Sequence, residues 1–527
     1  MKKILFILSM ACSMTFVACQ KSDFEESYAD PSKISVTTVE KQFTGFLGSN
    51  KSYVLPDYWN YFVVLRTTLN HYTQAVGWEN SPNQYIPGAA GISDRWTNFY
   101  NFLAQYREFE KVYAKATSTE QTDKRIYKIA STIYFYDHTQ KVVDLHGDIP
   151  FSMAGLLSVN GGDYGKSFAK YDTAEGVYTK MLDDLKGFSD ELSTLTVKSG
   201  ILAGFKTQDF VNKGDIALWT KYCNSLRLRM LARVSASTTF QARATAEIKE
   251  ILGNPTKYPL ISTNADNVQI NVFDLNTELN SKGFRSGIED SNGNLASKAM
   301  IDNMVSNSDP RLRVMFETGE NAKGVYKGLD PLAASAVQSA TVADGTLSLY
   351  NRSTFSRNQF FPGLLINAAE VNFLVAEFQL KNGNAALAKT AYENGIKLSI
   401  EAYFKFRTLS NDNTVPLATT ATAAEIQAYL NSNGVSWDKA LTDANKLRLI
   451  ATQKWIHYSI LQPHESWAEL RRLDYPQLSF QTDNSNVQKQ PPFRWVYPSS
   501  ESVYNTENYN AVKAKDNLTT KLFWDVN

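Results

Sequence analysis

Across residues 364–404, LLINAAEVNFLVAEFQLKNGNAALAKTAYENGIKLSIEAYF, apolar side chains at 364, 368, 371, 375 and 378 recur three or four positions apart. That spacing lines one face of a helix and predicts its end near Gly383, where a positive φ costs little. Ala388, Ala391, Tyr392, Ile396, Ile400 and Tyr403 repeat the pattern in a second helix, and the short connection 381–384 makes the pair antiparallel. The product is a helical hairpin of tetratricopeptide type, with small residues on one side of its inner face and bulky ones on the other. One hairpin cannot bury both faces, so further helix pairs should stack on it.

The helical period returns at about 57–76, 94–116, 121–145, 172–192, 214–234 and 239–252, and again over 437–462 before Pro463. Between 254 and 358 it gives way to Asn, Ser, Gly and Asp with scattered Val, Ile and Phe, a pattern for loops, short strands and brief helices. The predicted fold is mostly α, with tetratricopeptide-like helix pairs forming a scaffold beside an irregular loop-rich region. In order, the chain reads as a leader (1–18), a polar tether (19–50), a helical scaffold (51–253), an irregular recognition region (254–360), a second helical scaffold (361–476) and a tail of ordered loops (477–527).

Charge and cysteine content narrow the function. A net charge of +1 over 527 residues argues against a nucleic-acid partner. Lys2 and Lys3, the apolar run 4–10 and Phe16-Val17-Ala18 before Cys19 have the form of a bacterial lipoprotein leader, with Cys19 as the lipid-bearing residue. An ordinary signal peptide with an incidental Cys19 is the alternative. Cys12 lies in the leader, so lipidated Cys19 leaves Cys223 without a disulfide partner; it reads as a small buried residue. Two or three acyl chains anchor a protein firmly without spanning the membrane.

Candidate chemistry is sparse. Asn160 to Ser167, NGGDYGKS, approximates a phosphate loop but lacks its first Gly and a preceding strand, so it reads as a surface loop. His464-Glu465-Ser466-Trp467-Ala468 starts like a zinc motif, but Ala468 stands where the second histidine belongs. The five histidines are not spaced as a metal cluster, and neither a nucleophile elbow nor a paired Cys-x-x-Cys is present. No cofactor or metal is implied, and the expectation is a binder rather than an enzyme. A glycosidase pair among the 53 acidic residues is the residual alternative. Aromatic residues form 12 % of the chain, and those on loops are the freest to meet a ligand. Trp78 and Tyr85, in the turn-rich loop 77–88, either touch ligand or pack locally. Phe284, Arg285, Tyr326 and Lys327 stand out in the irregular region, and Trp96, after a plausible cap at Asp94, reads as core.

Several stretches, taken together and in order, resemble the SusD/RagB family of outer-membrane nutrient-binding lipoproteins. They are the Cys19 lipobox, Gly147-Asp148-Ile149-Pro150-Phe151-Ser152, Lys170-Tyr171-Asp172-Thr173, Asp309-Pro310-Arg311-Leu312, residues 370–400, Gln453-Lys454-Trp455 and the run 465–476. The resemblance implies a helical, tetratricopeptide-like scaffold and a SusC-like TonB-dependent transporter as partner. It also implies a lipid anchor in the outer membrane facing the exterior, with glycan or oligosaccharide cargo, or alternatively oligopeptide. It assigns only Cys19; the ligand candidates Trp78, Tyr85, Arg285 and Tyr326 rest on loop position and residue type.

Overall fold

The structure, a computed structural model, describes residues 37–527. Its frame is built from α1 (Val39–Gly48), α2 (Ala89–Lys115), α3 (Arg125–His146), α4 (Ala174–Leu192), α5 (Ile216–Val234), α6 (Gln241–Gly253), α7 (Ala368–Lys381), α8 (Ala385–Leu409), α9 (Asp443–Tyr458) and α10 (Pro463–Leu473). Several begin on a side-chain cap: Thr173 accepts from Gly176 N, Asp215 from Leu218 N, Asn367 from Glu370 N and Thr442 from Asn445 N. Each such cap stabilises its helix by about 1 kcal/mol. The strands are short antiparallel pairs that clip loops together, such as Val268–Ile270 against Gly363–Ile366.

The α7–α8 hairpin stands where the sequence places it, with Gly383 at φ +79° in its turn. The two helices meet closely at Gly395, where an added Cβ would lie 2.6 Å from the Phe373 ring. A Gly395→Val variant must push that ring away, and a loss of about 1–3 kcal/mol is expected in thermal or denaturant unfolding. An unchanged midpoint would show that the hairpin has slack there.

Two large cores and a small cluster of Leu295, Leu329 and Leu347 divide the described residues. The first gathers α1 to α6 around Phe46, Phe102, Phe135 and Trp219; Phe46 stacks on Phe102 at 4.7 Å and Tyr106 on Phe135 at 4.2 Å. The second joins α7 to α10 with the irregular region and with residues 61–92. The N-terminal scaffold expected over 51–253 is therefore divided, because Tyr61, Leu65, Leu69, Tyr72 and Tyr85 bury their apolar surface against the C-terminal half.

At the seam, charged side chains from five helices are buried together. Arg229 pairs with Asp137 at 2.9 Å and with Glu370, and Arg233 with Asp144, Glu465 and Glu469. Lys454 reaches Glu377 and Glu469, both at 2.7 Å, and Arg472 reaches the same two carboxylates at 2.6 Å.

Some local expectations are corrected. The tether expected to Asn50 ends earlier, since α1 buries Val39, Phe43, Phe46 and Leu47; Cys19 and the leader lie outside the described residues. Leu364 belongs to a strand, because the Asn367 cap starts α7 three residues later. Asp94 is inside α2 rather than capping it, and receives the Tyr53 hydroxyl. The stretch 57–76 breaks into a π-helical turn, Asn60–Leu65, and the single turn Leu69–Tyr72. The long helix expected over 437–462 splits: α9 ends at Ser459, whose φ is +42°, and α10 starts at Pro463. Asp309 does not cap a helix; it is buried and ion-pairs with Arg311 at 2.6 Å, anchoring it against Ser399, Tyr429 and Gln453. Cys223 is buried, as read.

Candidate functional site

The π-helical turn places Tyr58, Phe62 and Arg66 in one line. The Tyr58 and Phe62 rings stack at 5.2 Å and 15°, and the Arg66 guanidinium lies 4.2 Å from the Phe62 centroid. Arg66 is also 5.8 Å from the Trp78 ring, and Trp78 stacks on His71 at 4.7 Å and 21°. His71 in turn stacks on Tyr85 at 5.3 Å. The result is a row of aromatic planes with one cation, Arg66, set among them. Tyr58, Phe62, Arg66 and Trp78 are part-exposed and Trp59 is exposed beside them, while His71 and Tyr85 are buried behind.

The row is held rigidly. Gly77 carries no Cβ because Ala296 O would lie 2.7 Å from it, and its N–H donates to Leu295 O at 2.8 Å. A side chain at 77 would lift the Trp78 loop off the irregular region. Asn80 is fixed next door: its backbone N–H donates to Gln338 Oε1 at 2.7 Å and its Nδ2 to Pro331 O at 2.8 Å. Gly293 admits Arg66 in the same way, with Cδ 2.6 Å from where a Cβ would stand, and Arg66 Nη1 donates to Ser291 O at 3.2 Å.

Trp78 Nε1 and Arg66 Nε are out of solvent and have no protein acceptor among the described residues. Burial lowers the pKa of Arg66, an effect opposed by Tyr58 and Asp290. Burial also holds His71 down to about 3, so its ring backs Trp78 as a neutral plane at ordinary pH. The ring edges and the part-exposed guanidinium that this stack turns to solvent, with Trp59 exposed beside them, suit a ligand with C–H faces and hydroxyl acceptors.

Of the sequence candidates, Trp78 and Tyr85 come together but in different roles. Tyr85 is 1 % exposed and donates its hydroxyl to Gln481 O at 2.7 Å, so it is corrected from contact to support. The space between it and Trp78 is about 10 Å³, enough for one water and no sugar. Arg285 is exposed on the short helix Phe284–Glu289, which packs behind the π turn through Phe284 and Tyr61, rings 4.7 Å apart. Arg285 faces Glu289 at 3.5 Å, in a separate charged strip with Arg357. Tyr326 is half-buried on the second core, and Lys327 is exposed near Thr346. No hydrogen bond, ion pair or ring stacking joins Arg285 or Tyr326 to the row. Sequence reading missed Tyr58, Phe62 and Arg66, whose spacing of four resembles any buried helical stripe. Among the described residues no group of His, Cys, Asp and Glu is arranged to hold a metal, and no helix is long and apolar enough to cross a membrane.

Solved structures share this architecture. A chitin-binding SusD homolog from Flavobacterium johnsoniae is 23 % identical, covering 92 % of this chain and 99 % of its own, with a TM-score of 0.68. A SusD homolog from Bacteroides fragilis is 19 % identical, covering 93 % and 100 %, with a TM-score of 0.73. A further chitin-binding protein is 22 % identical over 92 % and 100 %, with a TM-score of 0.72. At these identities the likeness establishes the fold. A search of curated proteins finds no match to the chain. The family model described as "Starch-binding associating with outer membrane" matches residues 55–498, nearly all of the described chain, and the protein therefore belongs to the SusD-like family.

Proposed function

We propose that this protein captures a glycan at the cell surface on the row Tyr58, Phe62, Arg66 and Trp78. The observation that carries the reading is the row itself: stacked rings and a guanidinium whose edges line one part-exposed surface, with Trp59 exposed beside them. The family's starch-binding description and the two chitin-binding neighbours support a polysaccharide fragment as cargo. The row contains no carboxylate, so what it offers is stacking and hydrogen bonding rather than acid–base chemistry. Arg285 and Tyr326 would meet only a ligand long enough to leave the row.

In this reading the chain is anchored to the outer membrane by lipid on Cys19, faces the exterior and passes its cargo to a SusC-like TonB-dependent transporter. Co-purification with such a barrel from membranes checks the partnership.

Titration calorimetry with starch- and chitin-derived oligosaccharides, run beside a peptide pool, tests the cargo. Trp78→Ala removes a stacking plane worth about 2 kcal/mol, so affinity for the bound oligosaccharide is expected to fall roughly thirtyfold with the unfolding midpoint little changed. Unchanged affinity would refute the row as the site. Binding of peptides alone would reassign the cargo to oligopeptide, and turnover of an oligosaccharide would identify a hydrolase.

A further inference from the structure

Between α2, α3 and α4, none of which carries a residue of the row, lies a cavity of about 520 Å³. That is within the roughly 300–1,000 Å³ of ordinary small-molecule sites. It opens beside Ser152, Gly176 and Lys180, which are exposed. Phe135, Phe151 and Phe188 supply its apolar lining. The inner end is rigid: Phe135 stacks on Tyr106 at 4.2 Å and on Phe151 at 6.0 Å, and Arg107 Nη2 donates to Phe151 O at 2.9 Å.

The polar lining is charged, and its charges are paired. Each of the four cations in the wall holds a carboxylate. Arg107 and Lys128 share Glu110 at 2.7 and 2.6 Å, Lys180 holds Asp184 at 2.6 Å, and Arg125 holds Glu191, outside the lining, at 2.7 Å. The remaining wall carboxylate, Asp172, receives the Ser152 hydroxyl and the backbone N–H groups of Phe151 and Ser152. A charged ligand would have to break one of these pairs or leave its own charge without a partner. Hydroxyl groups need do neither. A carboxylate has about four lone-pair sites, and Glu110 accepts one hydrogen bond from each of its two cations. Asp184 accepts from Lys180 and from the Tyr136 hydroxyl. Lys128 gives N–H groups to Glu110 and to the Tyr106 hydroxyl, at 2.6 and 3.1 Å, and an ammonium has a third. Acceptors and a donor with spare capacity, set beside apolar rings, match a molecule whose hydroxyls both donate and accept and whose C–H groups are apolar.

We propose that this cavity is a second binding site, separate from the row, for a neutral polyhydroxyl ligand of one or two sugar rings. Its hydroxyls meet Glu110, Lys128 and Asp184, and the existing ion pairs stay closed.

Titration calorimetry with maltose and with N,N′-diacetylchitobiose tests this on Trp78→Ala, in which the row has lost a ring. At least one of the two disaccharides is expected to bind that variant at one site per chain, with an affinity that does not change between low and high salt. Adding Asp184→Asn, which keeps the shape of the wall and an acceptor for Tyr136, is expected to weaken this binding about tenfold with the unfolding midpoint little changed. Wild-type crystals soaked in the disaccharide should show a sugar ring beside Glu110 and Lys128, a readout that needs no variant. No disaccharide binding to Trp78→Ala, binding that Asp184→Asn leaves unchanged or that falls steeply with salt, or ordered water alone in the soaked cavity would each overturn the proposal. Longer oligosaccharides that ignore Trp78→Ala would refute the row and leave this site standing, so the two failures are distinguishable.

Discussion

Replacing Arg233 with methionine is expected to lower the unfolding free energy by about 3–5 kcal/mol in a denaturant titration, because it leaves buried carboxylates without their cation. Arg233 is the shared partner of Asp144, Glu465 and Glu469, on α3 and α10. The carboxylates of the network do not respond alike. Burial pushes Glu370 and Asp144 up, and Arg229 and Arg233 only partly offset it. For Glu469, burial is outweighed by Arg472, Lys454 and Arg233 together, and its pKa falls well below the usual carboxylate range. Arg472, Lys381 and Lys454 do the same for Glu377. Methionine fills most of the arginine's volume, so the loss reports charge rather than packing. A loss below about 1 kcal/mol would mean that the seam is hydrated and its charges are not strongly coupled.

Acid should unfold this protein early. All five histidines of the chain lie in the described fold; His71, His138, His146 and His457 are buried, and His464 keeps Nε2 out of solvent. Burial is the leading cause in each case, holding His71 and His457 down to about 3 and the other three well below their ordinary value. The sign follows directly. Below about pH 6.5 the unfolded chain binds protons at these rings and the folded chain does not, so stability is full above that pH and is lost as pH falls. Each ring costs up to about 1.4 kcal/mol per pH unit, so His71 and His457 alone remove roughly 3 kcal/mol between pH 6.5 and 5, and His138 and His146 add to the loss. The thermal midpoint should drop by at least about 3 °C over that span in a calorimetric series. A midpoint flat to pH 5 would show that the rings are protonated in the folded state.

The α7–α8 hairpin was legible because its period, its Gly383 turn and its small residues all point to the same structure. The break at 57–76 was not legible. The π turn is set by a backbone bond five residues long, Arg66 N–H to Tyr61 O at 2.9 Å, which leaves no mark on the apolar pattern; Gly283, Gly287 and Gly293 then pack closely against Asp57, Tyr61 and Arg66. The site was half-legible for the same reason. Trp78 announces itself as a large ring on a turn-rich loop, whereas Tyr58, Phe62 and Arg66 look like core until tertiary packing leaves their outer edges in solvent. Tyr85 failed in the opposite sense: its loop folds over it, and Gln481, nearly four hundred residues later, takes its hydroxyl. Long-range closure of that kind has no local signature.

The most direct measurement is a crystal structure with the tightest-binding oligosaccharide from the titration. Sugar rings are expected against the row, over Trp59 and the exposed edges of Phe62 and Trp78, with a hydroxyl within hydrogen-bonding distance of the Arg66 guanidinium. Sugar bound on another face, such as the charged strip of Arg285, Glu289 and Arg357, with the row still open to solvent, would contradict the assignment.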